Sequence, residues 1–124
     1  MLLVKTYLGK SKIHGIGLFA GECIEKYTVV YKPSPGLDLH ITTKSFDRLD
    51  KDSKNAIKHY GYLDKKGKIW NLSFDDIRFC NHSKNGNVGK PDKGNNLIAK
   101  RNIRKKEEIL QNYEELETLR NVLK

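Results

Sequence analysis

Apolar and polar residues mix at short range through residues 2–8, which predicts an opening strand. Residues 11–17 carry two glycines and read as a turn, followed by the short apolar run Leu18-Phe19-Ala20. Residues 27–31 (YTVVY) are β-branched and aromatic and predict a second strand. Pro33 and Pro35 end it, because proline has no backbone donor. One helical pattern occupies the middle of the chain, from Thr43 to Tyr60. Phe46, Leu49, Ala56, Ile57 and Tyr60 share a face that is broken around Asp52-Ser53, and Gly61 supplies a stop. Tyr62-Leu63 and residues 69–72 flank a polar turn containing Gly67, a hairpin signal. Residues 85–96 read as loop. Residues 96–103 and 109–113 read as strands around a charged turn at 104–108. Residues 114–124 predict a short amphipathic helix, with Leu116, Leu119 and Leu123 on one face, acids leading and cations trailing. Many short strands with few helices and no linker give a single β-rich α+β domain over residues 1–124.

The chain echoes itself weakly. Residues 24–30 (IEKYTVV) and 103–109 (IRKKEEI) both read as an apolar anchor, a charged turn and a strand.

Composition narrows the classes. The chain has 124 residues and a formal net charge of +9. Its hydrophobic share of 37% excludes an acidic disordered chain, and no apolar run is long enough to span a bilayer. The apolar stretch at the N-terminus is too short for a signal peptide, which gives the expectation of a protein that is not exported: cytoplasmic, or in the host nucleus if it comes from a virus or an intracellular bacterium. The two cysteines are too few for a disulfide scaffold or a zinc site, so no metal is expected and both thiols read as reduced and mostly buried. The positive charge is uneven. Residues 84–106 carry eight cations against one carboxylate, and an acidic tail follows. Such a stretch can contact nucleic acid or steer another acidic partner, but it contains no aromatic residue to stack on a base, and solvated loops and lysine-protected strand edges are the preferred reading.

Three segments carry the candidate chemistry: His14-Gly15-Ile16-Gly17-Leu18-Phe19-Ala20; Arg78-Phe79-Cys80-Asn81-His82-Ser83 with Asn87 beyond it; and Lys106-Glu107-Glu108-Ile109-Leu110-Gln111-Asn112-Tyr113. The first lacks the third glycine and the long helix of a dinucleotide fingerprint, so it is not a Rossmann turn. Taken singly, each segment also fits a tight turn, a polar loop or a half-buried aromatic.

In this order and spacing the segments resemble the SET-domain family of protein-lysine methyltransferases, in a minimal stand-alone form of the viral or bacterial type. The resemblance runs from about Val4 to Tyr113. It implies a SET (β-clip) fold of several short sheets, one central helix, a short C-terminal helix and a C-terminal pseudoknot. It implies S-adenosylmethionine as cofactor, held by Gly15, Ile16, Gly17, Arg78, Phe79, Asn81 and His82, with a side chain at Gly17 colliding with the cofactor. Tyr113 would be the catalytic tyrosine, orienting a neutral lysine amine for in-line methyl transfer. Tyr31, Tyr60 and Tyr62 are candidates for the substrate channel, or else plain core aromatics. The implied partner is a protein with a target lysine, such as a histone or another basic nucleic-acid-associated protein, with direct nucleic-acid contact and a homodimer as further expectations. Cysteine-rich zinc segments found in many relatives are absent from this sequence, and Lys106 stands where the family has a turn glycine. That replacement is tolerable unless the position needs positive φ. The competing reading is a basic nucleic-acid-binding or catalytically inactive partner-binding module on the same fold.

Overall fold

The computed structural model describes residues 1–64, 66–91 and 96–112. Tyr113 and the helix expected over residues 114–124 lie outside the described residues.

Two hairpin-like ribbons build the main sheet. Strands β1 (Thr6–Lys10) and β2 (Ile16–Ala20) pair antiparallel from Thr6↔Ala20 to Lys10↔Ile16. The opening strand thus starts later than the sequence suggested, and Leu2 instead makes a lone bridge to Tyr31. The second expected strand is trimmed to β3 (Val29–Tyr31), because Tyr27 sits in a turn with φ 74°. The central layer follows from β7 (Asn81–His82), β8 (Val88–Gly89), β9 (Leu97–Ala99) and β10 (Glu108–Gln111), with the order β1-β2-β10-β8-β9-β3 and β7 also on β10. Leu18, Val30, Val88, Ile103 and Ile109 are essentially inaccessible and form its core with Cys80 and the two alanines Ala20 and Ala99.

The sequence echo is a structural repeat. Ile24 and Ile103 exchange both backbone hydrogen bonds at 2.8 Å. On one side Tyr27 N–H donates to the Ala99 carbonyl and Ala99 N–H to Thr28; on the other Lys106 N–H donates to Ala20 and Ala20 N–H to Glu107. Residues 25–28 and 104–107 are matching turns, each closed by a first-to-fourth hydrogen bond and each holding its third residue at positive φ, 74° at Tyr27 and 76° at Lys106.

A small second layer carries its own core. Strands β4 (Leu39–Thr42), β5 (Tyr62–Leu63) and β6 (Ile69–Leu72) form an antiparallel sheet in the order β4-β6-β5. The expected hairpin is β5–β6; β4 is too short and too weakly alternating to be read from sequence. Phe46 stacks on Trp70 at 5.0 Å, with Ile57 and Leu63 closing the cluster. The single helix expected over residues 43–60 is two helices, α1 (Thr43–Asp47) and α2 (Lys51–Tyr60). The break comes earlier than Asp52-Ser53 because Asp50 accepts from Ser53 N–H as an N-cap, and a capping side chain competes with helix continuation. Thr42 caps α1 in the same way.

The crossing at the C-terminal end positions the site. β10 lies between β7 and β8 and pairs parallel with both, through Leu110↔Asn81, Gln111↔His82 and Gln111↔Val88. The connecting loop passes tightly over it: a Cβ on Gly86 would sit 2.7 Å from Asn112 N and 2.8 Å from the Leu110 carbonyl oxygen. Val88-Gly89, expected as loop, is buried strand because of this crossing. Asn87, 1% exposed, clasps β10: its Nδ2 donates to the Glu108 carbonyl at 2.8 Å, and its Oδ1 accepts from Leu110 N–H at 2.8 Å. Among the described residues no helix is long and apolar enough to cross a membrane. Among the described residues no disulfide forms; Cys80 is buried as expected, whereas Cys23 is exposed.

Lys106 occupies a left-handed position that glycine enters without steric cost. Lys106→Gly is therefore expected to stabilise the fold by about 1 kcal/mol, the released side-chain strain exceeding glycine's added unfolded-state entropy. Urea denaturation of both proteins measures this; an unchanged or lower midpoint counts against strain at this turn.

Candidate functional site

Four separate segments converge on one cavity of about 450 Å³. The β1–β2 turn contributes Ile13, His14, Gly15 and Ile16; the end of α2 contributes His59 and Tyr60; the 3₁₀ turn Asp76–Phe79 contributes Arg78 and Phe79; and β7 contributes Asn81 and His82. Six of the seven expected cofactor-site residues therefore stand together: Gly15, Ile16, Arg78, Phe79, Asn81 and His82.

Gly17 is the exception. It is buried and does not line the cavity. A Cβ there would lie 2.5 Å from Glu108 Oε2 and 3.0 Å from Ser11 Cβ. A side chain there therefore collides with the protein's own glutamate. Gly15, by contrast, has open space around its missing side chain and is demanded by its backbone, with φ 48°.

Glu108 organises the turn. Its carboxylate accepts from Ser11 Oγ at 2.8 and 2.9 Å and from Asn81 Nδ2 at 3.2 Å. Ser11 Oγ in turn accepts from the N–H groups of Ile13 and His14. Asn81 Nδ2 also donates to the His14 carbonyl at 2.9 Å and the Ile16 carbonyl at 3.3 Å. One carboxylate therefore fixes both the turn and the asparagine that faces it. Neither Ser11 nor Glu108 was singled out from sequence as a site residue. The signal was present: Glu108 is the second glutamate of the quoted Lys106-Glu107-Glu108 segment.

The opposite wall is aromatic and cationic. Tyr60 meets Phe79 edge-on at 5.3 Å and His59 at 4.5 Å, and the Arg78 guanidinium lies 5.7 Å from the Tyr60 ring and 5.2 Å from the Phe79 ring. His14 and His59 are exposed and edge this cavity.

The three candidate channel tyrosines divide. Tyr60 ends α2 and belongs to the cavity wall, not with its neighbour Tyr62. Gly61 turns the chain between them, pressed so closely that a Cβ would meet the Asn71 carbonyl oxygen at 2.6 Å. Tyr62 on β5 and Tyr31 on β3 share a second locality with Asp38. The Tyr31 hydroxyl lies 3.2 Å from Ser73 Oγ. Burial, with the Asp38 carboxylate and Tyr62 adding to it, pushes Tyr31 up to about 12, and burial raises Tyr62 in the same direction. Both are neutral phenols at physiological pH, donors rather than bases. The Cys80 thiol behind the site, pushed up to about 12 by burial, lies 3.3 Å from the Ile109 carbonyl and is inert.

The family model of the SET domain matches residues 15–114. None of the curated proteins matches the chain in sequence. Among solved structures, a Plasmodium falciparum protein described as a candidate histone methyltransferase is 25% identical, with a TM-score of 0.57 over 88% of this chain and 96% of that one. Polycomb Repressive Complex 2 of Chaetomium thermophilum, bound to the inhibitor GSK126, gives 23% identity and a TM-score of 0.68 over 97% of this chain. The same complex in an autoinhibited conformation bound to S-adenosylmethionine gives 24% identity and a TM-score of 0.65. This chain spans only about one sixth of the Polycomb chains it matches, 17% and 16% respectively.

Two outcomes test the site's construction. Gly17→Ala is expected to cost about 2 kcal/mol by overpacking against Glu108, and to cost much less in a Glu108→Ala background. Equal costs in both backgrounds, measured by denaturation, would remove Glu108 as the reason for the glycine. The raised tyrosines predict a pH dependence. In the folded protein Tyr31 holds its proton to about pH 12, whereas the unfolded phenol loses it near 10. Stability present below pH 10 is therefore lost as pH rises from 10 towards 12. Tyr31→Phe flattens that fall, and an identical alkaline profile for both proteins contradicts the assignment.

Proposed function

Because the chain belongs to the SET-domain family, we propose that it is an S-adenosylmethionine-dependent protein-lysine N-methyltransferase whose cofactor binds in the cavity between the β1–β2 turn and the Arg78-Phe79-Cys80-Asn81-His82 segment. The observation that carries this reading is the gathering of Gly15-Ile16, Arg78-Phe79 and Asn81-His82 around one cavity.

The residues suit the group. About 450 Å³ is within the range of small-molecule sites, which run roughly from 300 to 1,000 Å³. The edge-packed Tyr60 and Phe79 rings offer an apolar wall for a purine. Asn81 Nδ2 is spent on the turn carbonyls and Glu108, which leaves its Oδ1 to accept from a ligand's ammonium group. When bound, S-adenosylmethionine supplies the electrophilic methyl group. The protein's part is orientation and exclusion of water. Tyr62 and Tyr31, held as neutral phenols beside Asp38, suit a passage for a lysine side chain. Desolvation by the phenol rings favours the neutral amine that methyl transfer requires, whereas the Asp38 carboxylate favours the charged form on approach.

The substrate class this supports is a lysine-bearing protein segment. The related Polycomb complex has been captured with histone H3 sequences, and a histone-like segment is the first substrate to test. The Tyr113 hydroxyl is assigned the orienting role on the strength of its motif.

Calorimetric titration with S-adenosylmethionine, then transfer of a labelled methyl group to histone H3, tests the whole reading. Tyr113→Phe is expected to lower transfer by about 100-fold or more, as for loss of a single preorganised donor, with cofactor affinity retained. Full activity in that variant removes Tyr113 from the mechanism. Absence of cofactor binding in the native protein favours the non-enzymatic module instead.

A further inference from the structure

The motifs and the cavity leave one surface unused. It lies where the two halves of the internal repeat meet at the Ile24–Ile103 pairing. Tyr27 is 69% exposed, more than any other large hydrophobic side chain described. It is also held in the left-handed region at φ 74°. A bulky side chain there costs about 1–2 kcal/mol that glycine avoids. A strained residue so largely exposed contributes little to the fold, and strain of this kind accumulates at functional positions.

Its surroundings are cationic. Lys26 Nζ lies 4.9 Å from the Tyr27 ring centroid, covering part of the ring. Tyr27 N–H donates to the Ala99 carbonyl, and Lys26 N–H to Asn102 Oδ1 at 2.8 Å. These bonds seat the aromatic turn on residues 99–102, which include exposed Lys100 and Arg101. The matching turn on the other side of the Ile24–Ile103 pair carries exposed Arg104, Lys105 and Lys106. Of the carboxylates here, Glu107 pairs with Arg101 at 3.3 Å and accepts from Arg104 N–H. Glu22 accepts from Lys5 N–H, and Glu25 is exposed. The cations outnumber them two to one.

We propose that this face binds single-stranded nucleic acid, with Tyr27 as the stacking platform for a base and Lys26, Lys100, Arg104, Lys105 and Lys106 as phosphate contacts. The basic stretch of the sequence lacks an aromatic residue of its own; the fold supplies one from the other half of the repeat. A flat exposed ring amid cations is the combination that single strands use, and every base has a face to stack. An acidic protein segment would use the cations but gain little from the ring. The surface is separate from the cavity, so its occupation needs no cofactor.

Fluorescence anisotropy with a labelled oligothymidylate, on the full chain without cofactor, is the test. The native protein is expected to bind, with affinity falling steeply as salt rises. Tyr27→Gly should lower affinity about tenfold while the protein melts at the same or a higher temperature. Lys105→Ala should reduce the slope of log affinity against log salt by about 0.7, the value for one phosphate contact on a single strand. Methylation of a short peptide should be unaffected in both variants. The proposal is overturned if the native protein fails to bind at low salt, or if Tyr27→Gly binds as tightly as the native protein. It is equally overturned if polyglutamate of matched charge, or a blunt duplex, binds as well as the single strand.

Discussion

Everything at the site depends on where β10 sits, and a buried amide sets its height. β10 runs between two short parallel partners that meet it only near its C-terminal end, at Leu110 and Gln111. Before that point its Glu108 carbonyl and Leu110 N–H face the Asn87 side chain rather than a strand. Asn87 supplies the acceptor and donor that a neighbouring peptide would have offered, in a place too crowded for one. An unsatisfied backbone group in so dry a position costs about 1–3 kcal/mol, so the clasp is worth more than a surface hydrogen bond. Its geometric effect is larger still. With β10 fixed, Glu108 points across β2 to Ser11 and Asn81, and the turn at residues 11–16 is drawn onto the asparagine. The tight crossing at Gly86 then reads as the consequence of bringing a loop over a strand that cannot shift.

The same chain of contacts explains what was legible in the sequence. Asn81, Asn87 and the glycine turn were visible because their segments stand in one order and spacing, although each alone fits a turn or a polar loop. The contact of Gly17 with Glu108 was not legible because Glu108 is distant in sequence, and glycine alone does not say what presses on it. Tyr60 and Tyr62 were grouped because they are adjacent; the helix end and the turn at Gly61 send them to different localities. The broken helix was written in Asp50, a strong capping residue in the middle of an otherwise continuous apolar face, and the competition was resolved by the cap. β4 and β8 were invisible for a different reason. Two to four residues carry too little periodicity, and their extended state is imposed by partners, β6 in one case and the crossing over β10 in the other.

The repeat shows how a small chain organises two kinds of surface. Its halves use the same backbone bonds at Ala20 and Ala99, at Ile24 and Ile103, and at the two turns. Their side chains have diverged in the strands that follow. After the second turn comes Glu108, which braces the turn at the cavity, and then Ile109 in the core; after the first come exposed Val29 and then Val30 in the same core, which carry the chain to Tyr31. The backbone that makes the site is thus also the backbone that makes the plain half of the sheet.

The positive charge can now be placed. Of the basic stretch at residues 84–106, the part that the structure describes beyond β9 lies on the repeat junction and not around the cavity, whose own fixed cation is Arg78. A sulfonium ligand is itself cationic, so a cavity ringed by lysines would oppose it, and a lysine-rich peptide would be repelled from the same quarter. Placing these cations on a face that bears Tyr27, and leaving Glu108 behind the cavity's turn with Asp38 beside the Tyr31 and Tyr62 phenols in the second locality, separates the two electrostatic demands within one small domain. On that arrangement the cations of residues 100–106 belong to a second surface rather than to the cavity.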